Sequence, residues 1–326
     1  AKVAPKTFTN CDTNFDGNIP IKLDDLNATI ITNYKPEFVV KYYQNLTDAT
    51  LGNANTLPNN WSYNTDITIY VRVENGVCAP EIQPIEFKLG TTLNLLTNEA
   101  TPPSICDDDL DAVKSVNLKT FESFFTTDST VSITYFNSEN DAKNNVNPIS
   151  STQNITSTGT YFLRFEKANS CPNWAKITVN IKIPKASTTL QNKTICKNTT
   201  TTINAGTNFT YYKWSNGTEG QFAEEAEYGV GTHYVELTST NGCVYKQSFT
   251  ISEAVDPVID SVIEQGNSIT VNVSGGTAPY EYSLDQINWQ KSNFFDNLRR
   301  GVQKVYVRDT NICTPIEYEF SIINLI

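Results

Sequence analysis

Seven cysteines punctuate the chain at intervals that limit what it can fold into: Cys11, Cys78, Cys106, Cys171, Cys196, Cys243 and Cys313. The first six fall as pairs around stretches rich in alternating β-type residues, Cys11 with Cys78, Cys106 with Cys171 and Cys196 with Cys243. A cysteine near the start and another near the end of each stretch predict disulfides inside each module and an oxidising, extracytoplasmic setting. Cys313 is then left over, and the expectation for it is a buried, reduced thiol, or a bond to another chain or to residues outside this sequence. Closing a loop of ~65 residues contributes roughly 4 kcal/mol on the chain-entropy model. Reduction is therefore expected to lower the melting temperature of the first three modules far more than that of the fourth.

The first two stretches are duplicates beyond their cysteines. CDTNFDGNIPIKL after the first cysteine is matched by CDDDLDAVKSVNL after Cys106. Tyr42, Tyr43, Asp48 and Ala49 recur as Tyr135, Phe136, Asp141 and Ala142 at a constant offset of 93 residues. Arg72 and Glu74 recur as Arg164 and Glu166 shortly before the next cysteine. Internal repetition of this kind marks a tandem array of one structural unit. Short runs with period-two alternation, such as Ile67 to Val73 and Ala175 to Ile183, read as strands. DATLGNA after Thr47 and DAKNNV after Asn140 read as a single helical turn or bulged loop in equivalent places.

The fold expected is all-β, four tandem immunoglobulin-like β-sandwich modules in an elongated array, over residues 1–88, 89–185, 186–254 and 255–326. The second repeats the first, the third is short, and LGTT, PKAS and EAVDP are the candidate linkers. Trp214 is expected on a central strand of the third module against its disulfide. Tyr70, Tyr161, Tyr234 and Tyr306, each on the strand before the last cysteine of its module, are expected to bond nearby backbone as in a sandwich corner. In SNG and TNG, Gly217 and Gly242 mark tight turns.

Thirty-five acids against twenty-four bases give a net charge of -11, spread along the chain, which disfavours nucleic acid and anionic membranes as partners. No apolar run has the length of a membrane span. AKVAPKTFTN lacks the apolar segment of a signal peptide, and the chain holds no methionine, which suggests a processed or excised fragment.

Several phrases, CDTNFDGN, YYQNLTDA, IYVRVEN before Cys78, SGGTAPYEYSLDQINWQ and VYVRDTNIC, resemble the repeat regions of large secreted, adhesin-like proteins of Bacteroidota. Such proteins leave the cell by type IX secretion and often end in a gliding-motility-associated sorting domain. The resemblance covers most of the chain and implies a secreted or cell-surface location, with the type IX machinery as an export partner.

Candidate chemistry is sparse. Asp12, Asn14 and Asp16 followed by Gly17 reproduce the opening of a calcium loop, in which alternate oxygen ligands converge on a hard cation. The loop lacks its closing glutamate, because Leu23 stands there. Asp107, Asp109 and Asp111 keep the spacing, with Ala112 in place of glycine. Calcium is the one cofactor these loops suggest. His233 is the sole histidine, so nucleophilic catalysis would have to be built around a strand position. Absence of HExxH, Rossmann and P-loop motifs adds to a non-enzymatic expectation. The expected role is a stalk or adhesive array with an unidentified glycan or protein ligand. The alternative is a set of carbohydrate-binding accessory modules using Trp61, Trp174 and Trp289.

Overall fold

The computed structural model describes residues 2–323. Contacts divide the chain into two compact units. One comprises 1–105 and 112–181, the other 106–111 and 182–326. Residues 106–111 thus fold with the second unit, although they lie between strands of the second sandwich.

The first unit holds two sandwiches. In the first, Lys6–Asn10 runs parallel to Glu81–Leu89, which pairs antiparallel with Ile67–Glu74, which pairs with Val39–Tyr43. Ile19–Lys22 paired with Asn60–Tyr63 makes the opposing layer. The second sandwich repeats this plan. Asn173–Lys182, Thr158–Glu166 and Ser132–Phe136 form one sheet, and Lys114–Asn117 with Thr152–Ile155 the other.

The second unit also holds two. In the third sandwich, Lys193–Ile195 runs parallel to Val244–Glu253, followed by Gly231–Thr238 and Tyr211–Trp214, over Thr201–Asn204 and Glu225–Tyr228. In the fourth, Glu281–Ser283, Gly301–Arg308 and Ile316–Ile322 form one sheet. Pro257–Gln265, Ser268–Gly275 and Phe294–Phe295 form its partner. Two short, mainly antiparallel sheets per module, with the opening strand parallel to the closing strand in the first and third, make these immunoglobulin-like sandwiches.

Alternation along each strand builds the cores. Ile69, Val71 and Val73 point inward from Ile67–Glu74, and Ala175, Ile177, Val179 and Ile181 from Asn173–Lys182, all at most 9 % exposed. Each sandwich has its own apolar cluster, centred on Ile85 and Phe87, on Leu163 and Ile177, on Trp214 and Val235, and on Val271 and Val305. Trp214 is 2 % exposed, donates from Nε1 to the Ala223 carbonyl at 2.6 Å and packs on Tyr228 and Phe249. Its expected disulfide neighbour does not exist, because Cys196 and Cys243 are bonded to other residues.

The duplicated DA segments are short helices, Leu46–Leu51 and Glu139–Asn144. Asn45 and Ser138 cap them by accepting from the amides of Asp48 and Asp141. Gly52 and Asn145, both left-handed, end them. Arg72 and Arg164 reach across from the neighbouring strands and donate to the last free carbonyls. Arg72 Nη1 reaches those of Ala49 and Thr50, at 3.0 and 3.1 Å. Arg164 Nη1 reaches those of Ala142 and Lys143, at 3.1 and 2.7 Å. The four tyrosines singled out before the last cysteines do not provide the corner bonds. Tyr43, Tyr63, Tyr212 and Tyr280 donate to backbone carbonyls instead. Tyr70, Tyr234 and Tyr306 stand half-buried on the faces away from the cores, as strand alternation with Ile69, Val235 and Val305 dictates.

Several surface carboxyls are held below their ordinary range. Asp48 is lowered by the Asn53 and Asn45 amides, and Asp141 by Ser138 and Asn147. Asp128 is lowered by the Lys167 ammonium and Thr130, and Asp285 by the amide of Asn288. A carboxyl depressed in the folded state contributes stability that is complete above its unfolded value near ~4 and disappears as pH falls through the folded value. The urea midpoint is therefore expected to be flat from about pH 5 to 8 and to drop below about pH 4. A midpoint that rises on acidification would contradict these bonds.

Candidate functional site

The feature that sets this chain apart from four independent sandwiches is its disulfide pattern. Cys11 bonds Cys171, Cys106 bonds Cys243 and Cys196 bonds Cys313, with Cα separations of 5.3, 5.6 and 5.4 Å. Cys78 is free and exposed. The pairing expected from the sequence, Cys11 with Cys78, Cys106 with Cys171 and Cys196 with Cys243, is therefore wrong in each case. Cys313, expected to be the reduced one, is bonded.

Strand direction is the reason. In the first sandwich Asn10 lies beside Leu89 at the far end of Glu81–Leu89, so Cys11 leaves at that end, whereas Cys78 precedes the strand's start. Nine residues at ~3.3 Å each put the two cysteines ~30 Å apart, and a disulfide tolerates about 7 Å between Cα atoms. The third sandwich is built alike. Ile195 lies beside Glu253 at the end of a ten-residue strand that begins directly after Cys243. A leading cysteine is thus out of reach of its own module's hairpin, and Cys11, Cys106 and Cys196 each bond the closing hairpin of the module that follows. With Cys313 joined to Cys196, the fourth module carries one disulfide, as the first does, and its expected indifference to reduction has no basis.

In the first unit, the linker between the two sandwiches wraps the Cys11–Cys171 bond. The Gly90 amide donates to the Asn10 carbonyl at 2.8 Å. Cys171 donates to the Thr91 carbonyl at 2.8 Å and accepts from the Leu93 amide at 2.9 Å. Asn173 Nδ2 donates to the Leu93 carbonyl. A Cβ on Gly90 would stand 2.3 Å from Cys171 Sγ and 3.0 Å from Cys11 Sγ, so only glycine fits.

Arg164 completes the junction. It is 4 % exposed, pairs through Nε with Glu166 at 2.7 Å, and donates from Nη1 to the Thr13 carbonyl at 3.0 Å, two residues after Cys11. The Phe15 ring lies 5.5 Å from its guanidinium carbon. The sequence showed Arg164 and Glu166 as repeated residues, without the role.

The second unit has two junctions. At Cys106–Cys243, the Asp107 backbone amide donates to the Lys182 carbonyl, Asn241 Nδ2 to that of Ile183, and the Lys185 amide to Ser239 Oγ, all at 2.8 Å. At Cys196–Cys313, the Ala254 amide donates to the Ile195 carbonyl at 2.8 Å, as Gly90 does to Asn10. Asp309, 4 % exposed, accepts from the amides of Thr277 and Asn311 and shapes the hairpin that presents Cys313.

The candidate calcium loops are local turns. Asp12 Oδ2 accepts from the Gly17 amide, Asp16 Oδ1 from Asn18, and Asn14 Nδ2 donates to Asp16 Oδ2. Asp12 Oδ1 is buried without a hydrogen-bond partner. In the other loop the carboxylates of Asp107, Asp108 and Asp109 converge within 4.8 Å of one another, so Asp108 replaces Asp111 in the expected set. Leu110 and Ala112, both left-handed, turn the chain between them.

His233 packs on Tyr228 at 4.3 Å and shares a hydrogen bond between Nε2 and the Gly229 carbonyl. The tryptophans considered for sugar stacking are half-buried and engaged. Trp61 lies on Tyr63 and Phe87, Trp174 under Lys143, and Trp289 under Arg308 at 4.1 Å.

Sheets of this topology, stapled between neighbours and not within each core, define tandem immunoglobulin-like domains joined by inter-domain disulfides. A family model described as "Flavobacterium inter-domain disulphide bond domain" matches residues 7–94 and again 102–186. The chain belongs to that family. Among solved structures, the chain is similar to Sidekick-1 immunoglobulin domains 1–4, at 9 % identity over 98 % of this chain and 96 % of that one, with a TM-score of 0.23. It is also similar to the titin I-band fragment I67–I69, at 6 % identity, 77 % and 96 % coverage and a TM-score of 0.25. A third is the insect immune protein hemolin, at 10 % identity, 98 % coverage of each chain and a TM-score of 0.22. No curated protein matches this chain.

Gly90→Ala is expected to cost roughly 1–3 kcal/mol of stability through overpacking against the disulfide. The cost should largely vanish in a Cys11→Ala/Cys171→Ala background, where the sulfurs are gone. Urea unfolding of the four proteins checks this, and an equal cost in both backgrounds would show that Gly90 answers to something else.

Proposed function

We propose that the chain is a non-enzymatic, tension-bearing stalk or adhesive segment of a secreted or cell-surface bacterial protein, exported by the type IX route. One observation carries the reading. The disulfides span residues 11–171, 106–243 and 196–313, so each loop overlaps the next. A pull on the two ends therefore runs through 1–11, across to 171, on to 196, across to 313 and out to 326. Every sandwich core lies largely off that path. At ~3.5 Å per residue the shortest covalent path is ~180 Å, against ~1,100 Å for the same chain without cross-links. Unfolding can add little length until a bond is reduced. Three disulfides also support the extracytoplasmic location. Among the described residues, no helix is long and apolar enough to cross a membrane.

Single-molecule pulling between the ends tests this. The oxidised protein is expected to stop near ~180 Å of contour, and the fully reduced one to reach ~1,100 Å. Removing Cys106–Cys243 leaves the shortest path unchanged, whereas removing Cys11–Cys171 lengthens it to ~590 Å. Oxidised protein that extends like the reduced form would end the stalk reading.

Calcium binding at the acidic loops is a second, separate proposal, supported by the orphaned Asp12 Oδ1 and the convergence of Asp107, Asp108 and Asp109. Millimolar calcium is expected to raise the melting temperature, an effect that Asp12→Asn or Asp109→Asn diminishes. Identical melting in calcium and chelator would exclude it.

A further inference from the structure

We infer that Cys78 and Arg72 form the receiving half of a further junction, which takes a disulfide from the leading cysteine of another immunoglobulin-like module on the amino-terminal side of the first sandwich. The inference rests on the pairing pattern and not on the mechanical role.

Cys78 is equivalent to the three cysteines that receive a bond. Each stands in the hairpin between the last two strands of its sandwich, four or five residues after Glu74, Glu166, Thr238 or Arg308. Each follows a left-handed residue by one or two positions: Gly76 at φ 74, Asn169 at φ 61, Gly242 at φ 85 and Ile312 at φ 52. Asn75 Oδ1 accepts from the Cys78 amide at 3.0 Å, as Asn241 Oδ1 does from Cys243 at 3.1 Å. Cys171, Cys243 and Cys313 all receive a leading cysteine from the preceding module. The three leading cysteines are thereby used, so Cys78 has no partner of that kind within the chain.

Arg72 is the second observation, independent of the cysteine. It repeats Arg164 bond for bond, with Nε on Glu74 at 2.6 Å and Nη1 on the carbonyls that end the short helix. Arg164 makes one bond more, to the carbonyl of Thr13, which arrives with Cys11 from the preceding module. Correspondingly, the Arg164 side chain is 4 % exposed and that of Arg72 13 %. Val77 is 90 % exposed at the hairpin tip and Cys78 is exposed, whereas Cys171 and Cys243 are at most 5 % exposed and Cys313 is half-buried. The incoming segment would bring a cysteine to Cys78 and, two residues later, a carbonyl to Arg72.

Bond formation needs an oxidant, here a disulfide-bearing thiol oxidoreductase of the extracytoplasmic compartment. The incoming cysteine first forms a mixed disulfide with the oxidant. The Cys78 thiolate then attacks that cysteine's sulfur, the new S–S bond forms, and the oxidant leaves as a dithiol carrying both electrons and both protons.

The test is a non-reduced peptide map of the whole secreted protein, alkylated with N-ethylmaleimide before digestion. The Cys78 peptide is expected joined to a peptide of a preceding module, at a cysteine that follows a short opening strand. Cys78→Ser should release one alkylatable thiol in that module and leave the other three bonds intact. Arg72→Ala is expected to lower the bonded fraction of Cys78 during limited re-oxidation, and Arg164→Ala that of Cys171. Cys78 recovered as the N-ethylmaleimide adduct, joined to Cys78 of a second copy, or joined to a small thiol would overturn the inference.

Discussion

Parallel pairing of the opening strand with the closing strand governs how this chain is stapled. Asn10 beside Leu89 and Ile195 beside Glu253 fix the leading cysteine at one end of a sandwich, while the hairpin holds the other cysteine at the opposite end. No rearrangement short of breaking the ladder brings the two together. Each of the first three modules consequently offers a donor sulfur at its exit, and all four offer an acceptor sulfur at the entrance. Tandem order turns that polarity into bonds between successive modules.

The energetic division follows. Each sandwich buries its own cluster of apolar residues, and no disulfide lies inside any of them. Cross-links that enclose sequence separations of 160, 137 and 117 residues each restrict the unfolded chain by ~5 kcal/mol on the entropy model, though overlapping loops do not add independently. Reduction uncouples neighbours without opening a cavity in a core. Arg164 shows how a junction is made specific, since its buried charge is met by Glu166 and by three carbonyls, one of them from the preceding module.

Much of the fold was legible because repetition and alternation are written locally. The offset between Tyr42 and Tyr135 located equivalent strands, and the DA segments located equivalent helical turns. Cysteine partners were not legible, because spacing along the chain does not say at which end of a sheet a residue emerges. The signal that could have found them was present in the count. Four cysteines fall in closing hairpins and three follow opening strands, so the leftover belongs at one end of the series. Placing it at Cys313 made every pair intramodular, whereas placing it at Cys78 shifts every pair by one module. The expected role of Trp214 failed with the pairing, while its place in the core did not, because a strand of alternating aromatics buries it regardless. Convergence of Asp108 with Asp107 and Asp109 was hidden by the same limit, since spacing does not give the course of a loop, and left-handed Leu110 and Ala112 flank Asp111, which lies outside the set.

Disulfide connectivity in this 326-residue chain is the most direct test. Protein kept oxidised, digested and mapped without reduction should yield Cys106 joined to Cys243, Cys11 joined to Cys171 and Cys196 joined to Cys313, with one titratable thiol per chain at Cys78. Recovery of Cys106 joined to Cys171, with the free thiol at Cys313, would mean that each module closes on itself and that the coupling between neighbours described here does not exist.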